Sequence, residues 1–169
     1  MLKVDLGLLA RRHRTEIDEE IGPDDPVWDG MGIRFDGPVS MRLDVQQVGA
    51  DVIGRGRLTG AARLACRRCM QPVRHELAEE LTLVFRAGLT AVEAEAEEVY
   101  PLAERAKELD LAMPVREHVL LAVPEYVICK ETCRGFCPRC GTDLNQTSCE
   151  CVVEEDDPRW AALRRLRSE

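Results

Sequence analysis

The residues of this chain best suited to chemistry are its eight cysteines, which occur as four closely spaced pairs. Cysteine thiolates bind zinc strongly, and structural zinc sites use four ligands in a tetrahedral arrangement. Eight thiolates would therefore complete two such sites and leave no cysteine over. The pairs are Cys66 with Cys69, Cys129 with Cys133, Cys137 with Cys140, and Cys149 with Cys151.

The most specific spacing is in the run Cys137-Pro138-Arg139-Cys140-Gly141. Proline and glycine suit the unusual dihedral angles of a tight turn that points backbone N–H groups at the first sulfur, as in zinc knuckles. Cys149-Glu150-Cys151 returns two more thiolates shortly afterwards. We therefore predict that Cys137, Cys140, Cys149 and Cys151 share one zinc ion.

The other four cysteines are Cys66, Cys69, Cys129 and Cys133. They can close a second zinc site only if the Cys66–Cys69 turn folds against the segment around Cys129. The alternative is that Cys66 and Cys69 are a redox pair, since the flanking arginines could lower a thiol pKa. Redox pairs with this spacing usually open a helix in a βαβ unit, whereas this one lies between two predicted strands.

The chain has 169 residues, of which 45% are hydrophobic. This length and composition allow one hydrophobic core and at most a small additional metal-binding unit. The sequence shows neither a continuous apolar run of about 18 residues nor the apolar core of a secretory signal. We therefore expect a soluble cytoplasmic protein with no membrane partner. Thiols stay reduced in the cytoplasm, which favours metal ligation over disulfides.

Alternating apolar and polar residues from Val39 to Gln46 predict a strand with one buried face. A turn at Gly49 leads into a second long strand that ends at Cys66, and a third runs from Val73 to Phe85. Small residues on the second strand favour curvature or a close backbone approach. We predict an α+β fold: an antiparallel, curved β-meander or partly closed barrel with one or two short helices and a C-terminal cysteine-rich zinc-binding unit.

The remaining elements suggest two parts, residues 1–128 and 129–169. The first is a β-rich core with a helix from Pro114 to Val123, whose His118 is either a ligand or base or, as is more usual, structural. Residues 88–107 are acidic and fit either a helix or a mobile loop. The second part is the zinc-binding tail, ending in a helix over residues 158–167.

The net charge of −8 disfavours a simple polyanion binder, but the arginines are clustered. Each cluster is either a phosphate-binding surface or an ordinary solvated face, and the acidic runs could instead meet a basic protein. The candidates for RNA contact are Arg63, Arg67, Arg68, Arg74, Arg159, Arg164, Arg165 and Arg167.

Several of these motifs together resemble the YceD family, which is named for large ribosomal RNA subunit accumulation. The resemblance covers most of the chain, and its most specific part is the block from Cys133 to Asn145. The matching motifs are Cys66-Arg67-Arg68-Cys69, Cys133-Arg134-Gly135-Phe136-Cys137-Pro138-Arg139-Cys140-Gly141-Thr142-Asp143-Leu144-Asn145, Cys149-Glu150-Cys151, and Asp157-Pro158-Arg159 before a short helix.

This resemblance implies a bacterial or plastid factor for the synthesis, processing or stability of large-subunit ribosomal RNA, with no established catalytic residues. A zinc ion held by four thiolates has no open position for water, so we expect a structural metal and no enzyme activity. Its partner would be that RNA or its precursor, contacted directly or through a protein. The alternative is an acidic protein-binding module or chaperone for a basic ribosomal protein or a processing factor.

Overall fold

A computed structural model describes residues 2–151 of the chain. They form two compact units, the first made of residues 2–64 and 72–125 and the second of residues 65–71 and 126–151. The second unit is discontinuous in sequence because the Cys66–Cys69 turn belongs to it. The predicted division into residues 1–128 and 129–169 stays a prediction, and the predicted terminal helix over residues 158–167 lies outside the described residues.

The first unit combines strands with short helices around one hydrophobic core. No helix among the described residues is long and apolar enough to cross a membrane. The elements in chain order are β1 (Lys3–Asp5), α1 (Leu6–Arg12), β2 (Arg14–Ile21), a 3-10 helix (Pro26–Trp28), β3 (Arg34–Phe35), β4 (Val39–Val48), β5 (Asp51–Ala65), β6 (Pro72–Ala87), α2 (Ala91–Ala96), β7 (Tyr100–Leu102), β8 (Glu108–Asp110) and α3 (Ala112–Ala122).

The alternation that predicted β4 is reproduced in its burial, because Val39, Met41, Leu43 and Val45 are all buried. Strand β5 pairs with it in antiparallel register through the turn at Gly49, where φ is +63°. A positive φ costs glycine little, which explains this residue at the turn.

The small residues of β5 allow a close backbone approach, as predicted. A Cβ atom added to Gly56 would lie 1.8 Å from the carbonyl oxygen of Arg42 on β4. No side chain fits in that space, so only glycine allows the two strands to pack in this way.

The main sheet has six strands, in the order β2-β4-β5-β6-β7 with β3 paired to β5. Strands β2 and β7 are its ends among residues 2–151, so the sheet is an open meander and not a closed barrel. Strand β7 runs parallel to β6, an exception to the predicted antiparallel order. Strands β1 and β8 form a separate antiparallel pair. The α+β class is confirmed, with three short α-helices where one or two were expected.

Helix α3 begins at Ala112, two residues before the predicted start, and its N-cap residue Leu111 makes no side-chain capping bond. The Asp110 carboxylate accepts a hydrogen bond from the Ala112 N–H at 2.8 Å, which satisfies one of the free N–H groups of the first turn. Its Val115 and Val119 are fully buried, while His118 is half-buried on the same helix. This placement agrees with a structural role for the histidine.

The acidic stretch over residues 88–107 contains both α2 and β7. Thr90 and Glu93 form a capping box, in which each side chain bonds the other residue's backbone N–H. This reciprocal pair supports a short helix despite its few apolar residues.

Candidate metal centre

The second unit is organised around the turn that joins β5 to β6. The Cys66 carbonyl accepts a hydrogen bond from the Met70 N–H at 2.9 Å, and the Cys66 N–H donates to the Gln71 carbonyl at 2.8 Å. The Arg67 N–H donates to the Val127 carbonyl at 2.9 Å. Backbone hydrogen bonding therefore holds this turn against the segment that carries the other cysteines.

Cys66, Cys69, Cys129 and Cys133 converge on one point, and their four sulfur atoms lie within 4.8 Å of one another. The Sγ atoms of Cys66 and Cys133 are 3.9 Å apart, and those of Cys69 and Cys129 are 3.6 Å apart. A tetrahedral zinc with Zn–S bonds of about 2.3 Å requires sulfur separations of about 3.8 Å. We call these residues the first cluster, and its donor set fits zinc.

Cys137, Cys140, Cys149 and Cys151 form the second cluster, again with all four sulfur atoms within 4.8 Å. Its tight turn is held by a hydrogen bond from the Gly141 N–H to the Cys137 carbonyl at 2.9 Å, and Gly141 has a φ of +73°. The first cluster has three buried members, whereas in the second only Cys137 is buried. Both groupings are those the spacing suggested.

Hydrogen-bond donors lower the thiol pKa at Cys66 in the first cluster and at Cys137 and Cys140 in the second. Burial opposes ionisation of Cys66, but backbone N–H groups, first that of Arg68 at 3.4 Å, lower its pKa to about 6. At Cys140 the hydroxyl of Thr142, 3.1 Å away, and the Thr142 N–H lower the pKa to about 6.

A neighbouring thiolate has the opposite effect at Cys151. The contact with Cys140, followed by burial, raises the pKa of Cys151 to about 12. Four thiolates in so small a volume repel one another, so full ionisation requires a cation among them. Each cluster is therefore a group that could hold a metal ion.

Asn145 reaches from the loop of the second cluster to the first. Its Nδ2 lies 3.6 Å from the sulfur of Cys133 and 2.8 Å from Oδ1 of Asp143, while its Oδ1 accepts the Arg134 N–H at 2.9 Å. Sequence reasoning missed this role for Asn145. An amide-bearing residue between metal ligands is the signal that could have indicated it, because groups around a metal site orient its ligands.

Arg68, predicted to contact RNA, has a structural contact in the second unit. Its Nη1 donates to the Cys133 carbonyl at 2.8 Å, and a hydrogen bond with Tyr126 raises the pKa of its guanidinium. The side chain thus supports the segment that carries a first-cluster ligand.

The other predicted arginines are not assembled into one described surface. In the first unit Arg63 pairs with Asp36, and Arg74 lies 3.7 Å from Asp36 and 2.7 Å from Glu76. Arg67 is exposed in the second unit. Arg159, Arg164, Arg165 and Arg167 lie outside the described residues.

Two exposed aromatic residues of the second unit were not predicted as site residues. Tyr126 is 64% exposed and Phe136 is 41% exposed, although large aromatic side chains usually bury more of their surface. Exposed aromatic rings can stack on unpaired bases.

Comparison with known proteins identifies relatives across most of the chain. The family profile described as "Large ribosomal RNA subunit accumulation protein YceD" matches residues 54–167. A protein of Mycobacterium tuberculosis, described as uncharacterized, is 29% identical over 165 residues, covering 96% of this chain and 79% of its own length. The chloroplastic YCED homolog 1 of Arabidopsis thaliana, also named for large ribosomal RNA subunit accumulation, is 36% identical over 63 residues, covering 37% of this chain and 20% of its own. No solved structure matches significantly.

Proposed function

The chain belongs to the YceD family, and we propose that it is a non-enzymatic ribosome-biogenesis factor supporting the synthesis, processing or stability of large-subunit ribosomal RNA. The profile match over residues 54–167 carries this proposal, because that range contains both cysteine clusters. The name of the plant relative supports the same role. We place the action in the cytoplasm, where ribosomes assemble and thiols stay reduced.

We propose that each cluster binds one structural zinc ion. The residues concerned are Cys66, Cys69, Cys129 and Cys133 in the first cluster, and Cys137, Cys140, Cys149 and Cys151 in the second. A zinc ion with four thiolate ligands keeps no position for water, and its binding energy contributes to folding. The zinc would hold the residue 65–71 turn onto the segment that follows residue 126. Cys66 and Cys69 are then ligands and not a redox pair.

Direct RNA contact is supported by the charge of the second unit. Its described residues contain five basic and three acidic side chains, whereas residues 2–64 and 72–125 contain fourteen basic and twenty-three acidic side chains. Lys130 and Arg139 are exposed in the second unit, as is the candidate Arg67. With Tyr126 and Phe136 they would combine phosphate contacts with base stacking.

The excess of acidic residues in the first unit favours the alternative function, in which the chain is a module that binds a basic ribosomal protein or a processing factor. Under this alternative the effect on ribosomal RNA is indirect. Charge complementarity alone does not select the partner.

The proposed role predicts that cells lacking this chain contain less large-subunit than small-subunit ribosomal RNA, and that the wild-type gene restores the ratio. An unchanged ratio overturns the proposed function. Crosslinking in cells then separates direct from indirect action. A Lys130→Glu/Arg139→Glu variant should lose attached large-subunit RNA, while Arg11→Glu/Arg12→Glu, with the same change in charge, should keep it. Absence of attached RNA from the wild type selects the protein-binding alternative.

A further inference from the structure

Strands β1 and β2 each have one edge with no partner strand among residues 2–151. Strand β2 ends the six-stranded sheet, and β1 is paired only with β8. An unpaired edge presents backbone N–H and C=O groups that can hydrogen-bond an added strand. We therefore asked which residues present these groups.

On β2 the outward-facing residues follow from its pairing with β4. The His13 carbonyl accepts from the Gln47 N–H at 3.1 Å, in the register that continues as Arg14 opposite Gln46. Backbone groups in an antiparallel ladder face the partner at every second residue. Those of Glu16, Asp18 and Glu20 consequently face away from β4.

On β1 the same reasoning applies to the pairing with β8. The Leu2 carbonyl accepts from the Leu111 N–H, and the Leu6 N–H donates to the Lys107 carbonyl, both at 2.9 Å. Leu2 and Leu6 therefore face β8. Lys3 alternates with these residues, so its backbone N–H and C=O groups face away from β8.

The two open edges lie on one groove. A cleft of about 530 Å³ is lined by Leu2 and Lys3 from β1 and by residues 19–21 from β2. A second cleft of about 340 Å³ is lined by residues 3–5 and 15–19 of the same strands, so the two clefts adjoin. The start of β1 lies beside the end of β2, and the strands run in opposite directions along the groove.

The charge of the groove is acidic. Its lining includes Asp5, Glu16, Asp18, Glu19, Glu20, Asp25 and Asp110, of which Asp18 is paired with Arg42 at 3.0 Å and Glu16 lies 3.5 Å from Arg14, so the acids still outnumber the cations. Of its basic side chains, Lys3 is paired with Glu108 at 2.9 Å, and Nη1 of Arg116 donates to the Val27 carbonyl at 2.6 Å. The groove therefore repels a phosphate backbone and attracts a cationic chain.

We propose that this groove binds an extended basic segment of a partner polypeptide, which adds a strand between β1 and β2. Backbone hydrogen bonds to Lys3 and Asp18 supply affinity, and the carboxylates select basic side chains. Charge on an edge strand can also serve only to prevent aggregation. An edge whose charges only prevent aggregation needs no apolar surface beside it. Here the apolar residues Leu2, Ile21 and Val27 line the cleft, as expected of a binding groove. The inference rests on the first unit alone and holds whether or not the chain contacts RNA.

The test uses the full-length chain and a fluorescently labelled nine-residue peptide of alternating lysine and valine. We expect saturable binding of this peptide and none of the matching glutamate–valine peptide. A lysine–valine peptide with alternate backbone amides N-methylated keeps its charge but loses donors, and we expect at least tenfold weaker binding. Equal binding of the methylated peptide would show attraction by charge alone and overturn the proposal.

Asp18→Pro removes the outward N–H without cutting the ladder to β4. Both Asp18→Pro and Asp18→Asn remove the carboxylate charge and its ion pair with Arg42, so their comparison isolates the N–H. We expect Asp18→Pro to bind the lysine–valine peptide about tenfold more weakly than Asp18→Asn, with equal thermal unfolding showing that both fold. Equal binding by the two variants overturns the proposal. A wild-type dimer that Asp18→Pro dissociates would assign the groove to a second copy, and stronger binding after removal of residues 152–169 would assign it to the chain's own end. Either result also overturns the proposal.

Discussion

Nδ2 of Asn145 lies 3.6 Å from Sγ of Cys133, although Asn145 belongs to the loop between two ligands of the second cluster and Cys133 belongs to the first. Oδ1 of the same amide accepts the Arg134 N–H at 2.9 Å. One side chain therefore links the two clusters and orients a sulfur of the first. In the proposed zinc protein, this contact makes the two sites interdependent.

Replacing Asn145 by alanine should weaken zinc binding at the first cluster by about 10- to 100-fold, the usual effect of removing a group that orients a metal ligand. Asn145→Asp keeps an acceptor for the Arg134 N–H but lacks the donor to sulfur, so it should share most of the loss. Competition with a chromophoric chelator measures the affinity. Wild-type affinity in both variants would show that the contact with Cys133 does not matter.

The stability of the second unit should also depend on Gly135. It has a φ of +71°, and an added Cβ would lie 2.8 Å from the backbone oxygen of Arg68. We expect Gly135→Ala to lower the free energy of unfolding of the zinc-loaded chain by about 3 kcal/mol or more. Gly141, at φ +73° with open space around it, is the control, and Gly141→Ala should cost about 1 kcal/mol. Equal costs in denaturant titrations would contradict the close approach.

A substitution at Gly56 tests the close approach of β4 and β5 in the same way. Its added Cβ would lie 1.8 Å from the Arg42 carbonyl oxygen, so Gly56→Ala must separate β4 from β5. We expect a loss of about 3 kcal/mol or more in the free energy of unfolding. At Gly54 the nearest atoms would be 3.8 Å away, so Gly54→Ala should change stability by less than about 1 kcal/mol. The measurement is denaturant unfolding followed by circular dichroism.

The ion pair of Asp51 and Arg86 predicts a pH dependence. Nε and Nη2 of Arg86 lie 2.7 and 2.8 Å from the Asp51 carboxylate oxygens, and this contact lowers the pKa of Asp51 below 3.8 in the folded chain. Because the ionised carboxylate is favoured in the folded chain, Asp51 contributes its full stabilisation above pH 3.8. This stabilisation is lost as the pH falls through the pKa of Asp51 in the folded chain.

We therefore expect Asp51→Asn to melt about 2 °C below the wild type at pH 7, with the difference shrinking as the pH falls below about 3.8. Differential scanning calorimetry of both proteins across this range measures it. A difference in melting temperature that grows as the pH falls would show that the ionised Asp51 carboxylate does not stabilise the fold.

The specific spacing around Cys137 was enough to predict the second cluster, whereas the first cluster was inferred from the count of remaining cysteines and left a redox pair as an alternative. The period-two pattern likewise predicted β4 and its hairpin with β5. The contacts of Asn145 and Arg68 could not be predicted because they depend on how a turn at residue 68 and a loop at residue 145 meet in three dimensions.

Local interactions decided two further features that composition left open. The reciprocal hydrogen bonds of Thr90 and Glu93 support α2 within the acidic stretch, and the Asp110 carboxylate accepts a hydrogen bond from the first N–H of α3. The parallel pairing of β7 with β6 also escaped prediction, because three residues carry too little periodicity to indicate a strand direction.

Native mass spectrometry of the chain purified without added metal shows whether the eight thiols form two zinc sites. We expect two zinc ions per wild-type chain and one in a Cys140→Ser variant. We also expect the thiols of the wild type to resist alkylation until a chelator removes the metal. A metal-free wild-type chain whose eight thiols react at once, or whose cysteines are joined as disulfides, would show that the two zinc sites do not exist.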